Sequence, residues 1–378
     1  MHIVVVFSYK NSLNTWKESG ILEREIKLFQ ELSSKFKYKF TFVTYGNSSE
    51  INLLSNNPNF KLLGVENIFI PSKNKYVNFI KSIKIPFYLK KYLQSFDLIF
   101  QNQIPGSWVS LILKILTKKP LILRTGYDIY KFSLHEKKSY IKIVFYKYLT
   151  YLSLLFANQY LVTNKTEKNF LMENFKFNFK KLQIVPNWVE LPKLSNGKRD
   201  NSKALSVGRL EAQKNYSELL SNISSLENSF QIDIIGDGSQ KNMLISKAEK
   251  LNINLTMLGR LDNTELIKAY KNYKFFISFS LYEGHPKAIL EAMANGCIVI
   301  ASNIENHSEI IRNNLNGILF DLKQPELAKL ISNLQNDLNL CLKIQQNARK
   351  TITDNFTLEI VLEKYNEIFY KFKNFNTQ

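Results

Sequence analysis

Two glutamates eight residues apart flank the start of a predicted helix. Glu283 precedes Gly-His-Pro-Lys, and Glu291 lies about a turn and a half into the helix that follows. The amino end of a helix presents unpaired N–H groups and partial positive charge, so residues 284–287 are predicted to bind a phosphate. A carboxylate accepts hydrogen bonds from two neighbouring hydroxyl groups, as on a sugar. Glutamates that only solvate a surface helix would share this spacing, but the apolar residues 292–294 predict a buried face on which Glu291 needs partners.

A second group of charged residues follows the predicted strand 204–207. Gly208 and Arg209 come directly after this strand, and Lys214 lies five residues beyond Arg209. Open α/β sheets bind ligands at the carboxyl ends of their strands. A guanidinium and an ammonium group suit a diphosphate leaving group, whose negative charge grows in the transition state. The alternative is two solvated charges in a loop.

The elements that must position these residues alternate between short apolar runs and amphipathic stretches. This alternation predicts parallel sheets with right-handed crossovers, hence two doubly wound α/β domains. The prolines, glycine and polar residues of 186–200 predict a linker, and 356–372 has the apolar spacing of one long helix. The predicted strands are 2–7, 40–45, 98–101, 120–124 and 159–163 in the first half, and 204–207, 231–235, 254–258, 275–279 and 298–301 in the second.

The order of motifs in the second half resembles the retaining glycosyltransferases of family 4, whose fold is called GT-B. The resemblance covers residues 203 to about 321. The motifs that carry it are Gly208-Arg-Leu-x-x-x-Lys214-Asn, Gly236-x-Gly238, Leu258-Gly259-Arg260, Glu283-Gly284-x-Pro286 with Glu-x7-Glu291, and Asn316-Gly-Ile-Leu-Phe320.

The resemblance implies a role for each matching residue. It places Arg209 and Lys214 at the donor diphosphate, Glu291 at the nucleotide ribose and Glu283 near the donor sugar. It also implies that the second domain, 188–352, binds the donor, that 1–187 binds the acceptor across a cleft, and that 353–378 crosses back to the first domain as a helix. The further donor-binding residues implied are Gly208, Gly238, Gly259, Arg260, Gly284, His285, Pro286 and Lys287.

The first half matches this family less closely. Gly20 corresponds loosely to a glycine loop that opens the first helix and could offer N–H groups to a phosphate. Many relatives carry a His-Asp pair after the strand that corresponds to 120–124, where this chain has Tyr127 and Asp128. Tyr127, Asp128 and Arg124 are therefore candidates for contact with the acceptor, or else ordinary loop residues at a strand end.

Metal ligands are sparse in the sequence. No Asp-x-Asp motif occurs, so the carboxylate pair that would hold Mg²⁺ against a donor diphosphate is missing. The two cysteines, Cys297 and Cys341, form no CxxC or Cys/His cluster. We therefore expect no metal requirement, with positive charge supplied by Arg209, Lys214 and helix N–H groups. Retention of configuration is implied by the resemblance alone.

Positive charge is concentrated in the first half of the chain. Residues 1–190 hold 28 Lys and Arg against 12 Asp and Glu, and 191–378 hold 23 against 20, so the halves carry +16 and +3. Biased nucleotide composition would enrich both halves equally. Segments 71–96 and 140–156 interleave lysines with aromatic residues, which suits an anionic membrane surface better than nucleic acid, because no nucleic-acid signature accompanies the charge. The third possibility is a soluble protein whose exposed apolar helices have no specific partner.

These observations together predict a glycosyltransferase that uses a UDP- or GDP-sugar. The predicted acceptor is a lipid-linked or surface-polysaccharide glycan, as in bacterial lipopolysaccharide assembly. With no leader and no spanning segment apparent in the sequence, we expect a cytoplasmic protein, peripheral at the inner face of the membrane. The alternatives are a nucleotide-sugar epimerase of the same fold, which four histidines supply poorly, and a non-catalytic nucleotide-sugar-binding protein.

Overall fold

The computed structural model describes residues 1–54, 56–68, 70, 72–93, 95–194, 199–226 and 230–373. The chain divides into two compact units, the first formed by Met1–Pro186 with Val361–Gln378 and the second by Asn187–Ile360. Of the predicted linker 186–200, residues 195–198 lie outside the described part. The predicted boundaries, after residues 187 and 352, differ from those of the units by one and eight residues.

The first unit is built on a seven-stranded parallel sheet in the order β3-β2-β1-β4-β5-β6-β7. Its strands are β1 (His2–Val6), β2 (Lys39–Thr44), β3 (Phe60–Gly64), β4 (Leu98–Asn102), β5 (Leu121–Arg124), β6 (Gln159–Val162) and β7 (Leu182–Ile184). Its helices are α1 (Leu13–Glu18), α2 (Leu22–Phe36), α3 (Lys75–Tyr92), α4 (Ser107–Thr117), α5 (Ile129–His135), α6 (Tyr140–Phe156) and α7 (Lys165–Asn174).

Helices cover both faces of this sheet, and for this reason its central strands are mainly apolar. Val4 and Val6 of β1 share a buried cluster with Leu89 of α3 and Leu113 of α4. On β2, the ring of Phe42 packs edge-on against Phe29 of α2, with 5.2 Å between ring centroids.

The second unit repeats this plan with six parallel strands in the order β10-β9-β8-β11-β12-β13. The strands are β8 (Asp200–Val207), β9 (Gln231–Ile235), β10 (Asn254–Gly259), β11 (Tyr273–Ser278), β12 (Ile298–Ser302) and β13 (Ile318–Phe320). The helices are α8 (Tyr216–Ile223), α9 (Lys241–Lys250), α10 (Asn263–Asn272), α11 (Lys287–Ala294), α12 (Glu305–Ser308), α13 (Leu327–Asn336) and α14 (Leu338–Asn355).

Alternate side chains of these strands enter opposite cores, as the period of a strand requires. Phe275 of β11 packs with Leu219 of α8 on one face, whereas its neighbour Phe276 packs with Met293 of α11 on the other. Each sheet therefore presents its carboxyl edge, free of covering helices, to the loops that carry the predicted site residues.

The last helix, α15 (Leu358–Tyr370), returns the chain to the first unit from Val361 onward. Phe369 packs against Phe100 of β4 with 5.7 Å between ring centroids, and Tyr38 donates a hydrogen bond to Asn366 at 2.7 Å. The predicted packing of this helix on the first domain is confirmed.

Every strand predicted from the sequence is present, with ends that shift by up to four residues. Three further strands, β3, β7 and β13, were missed, and all three lie at sheet edges. In the part of the chain that the structure describes, no helix combines the length and apolar character needed to cross a bilayer.

Candidate functional site

The loops that follow β8, β9 and β10 bind one another at the carboxyl edge of the second sheet. The N–H of Gly208 donates to the carbonyl of Ile235, and that of Gly236 donates to Gly259. Gly236 has φ of +148°, and a Cβ there would lie 1.9 Å from the carbonyl oxygen of Gly208. Only glycine therefore fits at this crossing.

Lys214 and Glu283, both predicted site residues, form an ion pair across two of these loops. The Lys214 Nζ lies 2.5 Å from Glu283 Oε1, which also accepts a hydrogen bond from the hydroxyl of Ser280 at 2.7 Å. The two side chains are 18% and 10% exposed, so the pair is shielded from solvent. The lysine follows β8 and the glutamate follows β11, which are neighbouring strands.

The surroundings keep Glu283 charged. Burial alone would raise the pKa of this carboxyl, but the charge and hydrogen bond of Lys214 and the hydroxyl of Ser280 hold its pKa below the ordinary value. A shielded carboxylate with a fixed ammonium partner can accept hydrogen bonds from substrate hydroxyls while the ammonium binds an anion.

Arg209 lies exposed beside this pair, and Gln213 holds the loop that carries both cations. An Arg209 Nη2–H donates to Gln213 Oε1 at 3.2 Å. The side-chain amide of Gln213 donates to the backbone carbonyl of Tyr282 at 2.8 Å. The backbone carbonyl of Gln213 accepts from the N–H of Leu281 at 2.9 Å. Gln213 therefore fastens the loop after β8 to the loop after β11.

Glu291, the fifth residue of α11, is also paired, as its predicted burial required. Lys287 Nζ lies 2.9 Å from Glu291 Oε1, and the hydroxyl of Tyr270 donates to Oε2 at 3.2 Å. The Glu291 side chain is 14% exposed. A carboxylate fixed on both oxygens and still reachable is suited to binding a pair of hydroxyls.

The segment before α11 is held by side chains from residues that come after this helix. Pro286 is the N-cap rather than the predicted first helical residue, and no side chain caps this helix. The carbonyl of Gly284 accepts from Asn306 at 2.7 Å, and the His285 ring lies 5.6 Å from the ring of Phe356. The uncapped helix end carries the partial positive charge expected of an anion site.

The remaining predicted residues of this unit lie at the same edge. Gly238 packs so closely on Leu210 that a Cβ would lie 2.6 Å from the Leu210 carbonyl oxygen. Gly259 has φ of +70°, and the exposed Arg260 lies 3.8 Å from the carboxylate of Asp237.

Sequence reasoning missed His307 as well as Gln213. His307 follows β12, is fully buried, and its Nδ1 lies 2.8 Å from the carbonyl oxygen of Ser302. Burial lowers the pKa of this imidazole to about 4, against the opposing charge of Glu283, so the ring is neutral at pH 7. Gln213 occupies an unspecified position of the motif 208–215, and His307 lies outside the motifs, so only their places after strands 204–207 and 298–301 could have suggested them.

In the first unit, Asp128 has structural partners for its carboxylate. It caps α5 by accepting from the N–H of Lys131 at 2.9 Å and accepts from the Thr150 hydroxyl at 3.1 Å. Burial raises its pKa to about 6, against these hydrogen bonds. With 1% exposure it lacks the access that the predicted acceptor contact requires, whereas Tyr127 is 43% exposed.

Gly20 lies between the short helix α1 and the long helix α2, two residues before α2 begins. Its N–H donates to the carbonyl of Lys17 at 3.0 Å. This amide is therefore not available to a phosphate. Arg124, at the end of β5, donates to Asn102 at 3.4 Å.

Within the described residues, no group of three or more His, Cys, Asp or Glu side chains is placed to hold a metal ion. Metal independence remains a prediction.

The fold matches that of solved GT-B glycosyltransferases. The Anabaena HepE structure in complex with UDP and glucose aligns with a TM-score of 0.76 at 15% identity, over 98% of this chain and 100% of that chain. The predicted fold class, two doubly wound domains of the GT-B type, is confirmed.

The family comparison falls within the second unit. Residues 191–351 match the model of the family "Glycosyl transferases group 1". The UDP-Gal:alpha-D-GlcNAc-diphosphoundecaprenol alpha-1,3-galactosyltransferase of Escherichia coli is 26% identical over 332 residues, which cover 81% of this chain and 84% of that one. An alpha-1,4-N-acetyl-D-galactosaminyltransferase of Campylobacter jejuni, named for a diphospho-linked undecaprenol acceptor, is 25% identical over 69% of this chain and 71% of its own length.

Proposed function

We propose that this protein is a glycosyltransferase that moves a sugar from a nucleotide-diphosphate sugar to a lipid-linked or surface-polysaccharide glycan. The observation that carries the proposal is the coincidence of the group 1 domain, residues 191–351, with one sheet edge that bears Arg209, Lys214, Glu283 and Glu291. The second unit is the donor domain in this proposal, and the first is the acceptor domain.

Lys214 and Arg209 take the developing charge of the diphosphate leaving group. Lys214 is already fixed by Glu283 at 2.5 Å, so its ammonium needs little reorganisation when the donor phosphate bond breaks. The N-terminus of α11 adds its partial charge on the same leaving group. These groups together make a divalent metal unnecessary.

The two glutamates hold hydroxyl groups of the donor. Glu291, paired with Lys287 and Tyr270, accepts from the ribose hydroxyls, and Glu283 accepts from a hydroxyl of the donor sugar. The buried neutral His307 supports the segment beside them. Transfer proceeds with retention, by attack of the acceptor hydroxyl on the face from which the diphosphate leaves.

The donor is a UDP- or GDP-sugar. Support comes from the UDP bound to HepE and from the UDP-galactose named for the E. coli relative. Both named relatives act on undecaprenol-linked glycans, which supports a lipid-linked acceptor and a role in assembling bacterial surface polysaccharide such as lipopolysaccharide.

A lipid-linked acceptor would place the enzyme at the inner face of the cytoplasmic membrane. Helices α3 and α6 expose large apolar side chains, among them Ile80, Phe87, Ile141 and Tyr148, between exposed lysines such as Lys84. Such a surface attracts anionic headgroups and inserts its apolar side chains at the interface.

Two measurements test this proposal. Thermal stabilisation by UDP, GDP and their sugars, with and without EDTA, identifies the base, because specific binding raises the melting temperature. NMR of the product formed on a synthetic lipid-phosphate glycan then gives its anomeric configuration. Release of an epimerised nucleotide sugar would establish the epimerase instead, and binding without turnover would establish a non-catalytic protein. An inverted product or loss of turnover in EDTA would overturn retention or metal independence.

A further inference from the structure

An uninterrupted run of aromatic rings leads from the carboxyl edge of the first sheet to the exposed surface of α3 and α6. Tyr45 follows β2 and Tyr9 follows β1, and their ring centroids lie 5.4 Å apart. Tyr9 lies 5.3 Å from Trp108 of α4, and Trp108 lies 5.0 Å from Phe79 of α3 and 6.3 Å from Phe145 of α6. We call these five residues the ring track.

The track becomes more exposed toward its outer end. Tyr9, Tyr45, Trp108 and Phe79 are partly buried, and Phe145 is 40% exposed. Beyond it, Ile80 and Tyr148 are 59% and 63% exposed. A contiguous group of exposed apolar side chains, rimmed by polar residues, is typical of a binding surface.

The two ends of the track differ in polarity. At the inner end the Tyr9 hydroxyl is buried and has no hydrogen-bond partner among the described residues, while the ammonium of the exposed Lys10 lies 5.6 Å from the Tyr9 ring centroid. At the outer end lie hydrocarbon surfaces. The track therefore suits an amphiphile whose anionic head lies near Lys10 and whose chain runs outward.

The rings of the track contact one another at steep angles, so both edges and faces are apolar surface. The interplanar angles are 86° for Tyr9 with Tyr45, 64° for Phe79 with Trp108, and 79° for Phe79 with Phe145. A hydrocarbon chain needs only such apolar contact, whereas a sugar also needs hydrogen-bond partners for its hydroxyl groups.

We propose that the ring track binds the carrier chain of a phosphate-linked lipid acceptor, with the phosphate beside Lys10. This inference rests on the proposed function for the identity of the acceptor. It adds the residues that select a long-chain acceptor over a short one.

Intrinsic fluorescence tests the site without any need for turnover. Trp16 and Trp188 are 5% and 6% exposed, so Trp108 is the tryptophan most open to a ligand. Farnesyl phosphate should change the emission saturably, and Trp108→Phe should abolish that change. Inorganic phosphate should cause none.

A matched pair of variants tests the track itself. Phe145→Ser should raise the Kd for farnesyl phosphate about tenfold, which corresponds to about 1.4 kcal/mol. Phe179→Ser should leave it unchanged, because Phe179 is 43% exposed, similar to Phe145, but belongs to no part of the track. Tyr148→Ser, at a more exposed position, provides a second variant with little risk to folding. Equal Kd values for the Phe145 and Phe179 variants would overturn the proposal.

Transfer assays separate this site from general membrane contact and from the proposed function. Phe145→Ser should raise the KM for a long-chain acceptor about tenfold and leave kcat and the KM for a short-chain acceptor unchanged. Equal losses on both acceptors, or the same Trp108 response to phosphatidylglycerol vesicles alone, would overturn the carrier-chain site. Farnesyl phosphate binding without transfer from any donor would refute the enzyme activity and leave the site standing.

Discussion

The two units carry acidic side chains at the carboxyl edges of their sheets in opposite electrostatic settings. In the second unit, Glu283 has a lowered pKa because Lys214 and Ser280 outweigh its burial. In the first, burial raises the pKa of Asp128 to about 6 and, together with the charge of Asp128, raises that of Glu167 well above its ordinary value, although Lys131 opposes both shifts. A carboxylate held charged can serve a polar substrate, whereas one that burial drives toward the neutral form serves the packing around it.

Removing Lys214 should have the largest effect on turnover. Without this ammonium, Glu283 would become a buried carboxyl with a raised pKa, as Glu167 is. We expect Lys214→Ala to reduce turnover by about 10²- to 10³-fold, as the loss of a preorganised charge at a leaving group does. Steady-state kinetics with saturating donor measures this loss. Lys247→Ala is the control, since Lys247 also pairs with a glutamate of this unit, Glu218, at 4.0 Å. Turnover within threefold of the wild type would mean that the leaving-group charge is handled elsewhere.

The second unit should lose stability in mild acid through His307. Its folded pKa of about 4 lies below the ordinary 6.5, so its contribution is complete above pH 6.5 and is lost as the pH falls toward 4. The loss amounts to about 3 kcal/mol. The measurement is urea unfolding of a variant in which Trp16 and Trp108 are changed to Phe. The fluorescence of Trp188, which then remains, reports on this unit.

His307→Gln should flatten that pH dependence, and the exposed His135→Gln should not. An unchanged slope in the His307 variant would assign the acid sensitivity to other groups.

The first unit should respond to pH with the opposite sign at Asp128. Its folded pKa of about 6 exceeds the ordinary 3.8, so its contribution is complete below pH 3.8 and is lost as the pH rises through 6. We expect Asp128→Asn, which keeps a capping oxygen, to raise the free energy of unfolding by about 2 kcal/mol at pH 8. Urea titrations at pH 8 and pH 4 measure it, and an equal effect at both pH values would contradict the assignment.

The smallest expected effect concerns nucleotide binding at Glu291. Glu291→Gln keeps the shape and removes the charge that accepts from the ribose hydroxyls, so the Kd for the nucleotide should rise about tenfold, or about 1.4 kcal/mol. Isothermal titration measures it, with Glu218→Gln as the exposed control. Undiminished affinity would remove the ribose assignment from Glu291.

The sequence predicts the inner strands of each sheet better than the strands at its edges. An inner strand such as β1 can be predicted from its own residues, because burial on both faces demands the unbroken apolar run found at residues 3–6. The missed strands β3, β7 and β13 have three to five residues and pair on one side only, so a neighbouring strand defines them more than their own composition does.

The site divides in a similar way. The sequence predicts four of the site residues, because each belongs to a compact motif that comes after a strand: Arg209, Lys214, Glu283 and Glu291. The contact between Lys214 and Glu283 was not predicted, since they are 69 residues apart and meet only because β8 and β11 are adjacent. The burial of Asp128 likewise depends on Thr150, which packing brings to it.

The return of α15 to the first unit sets the order in which the protein can mature on the ribosome. The second unit lies wholly within residues 187–360, whereas the core of the first includes Tyr365 and Phe369. The unit that emerges first is thus the last to be finished. Until synthesis passes residue 369, the aromatic surface around Phe100 stays exposed on the nascent chain. Exposed apolar surface of this kind is what chaperones bind.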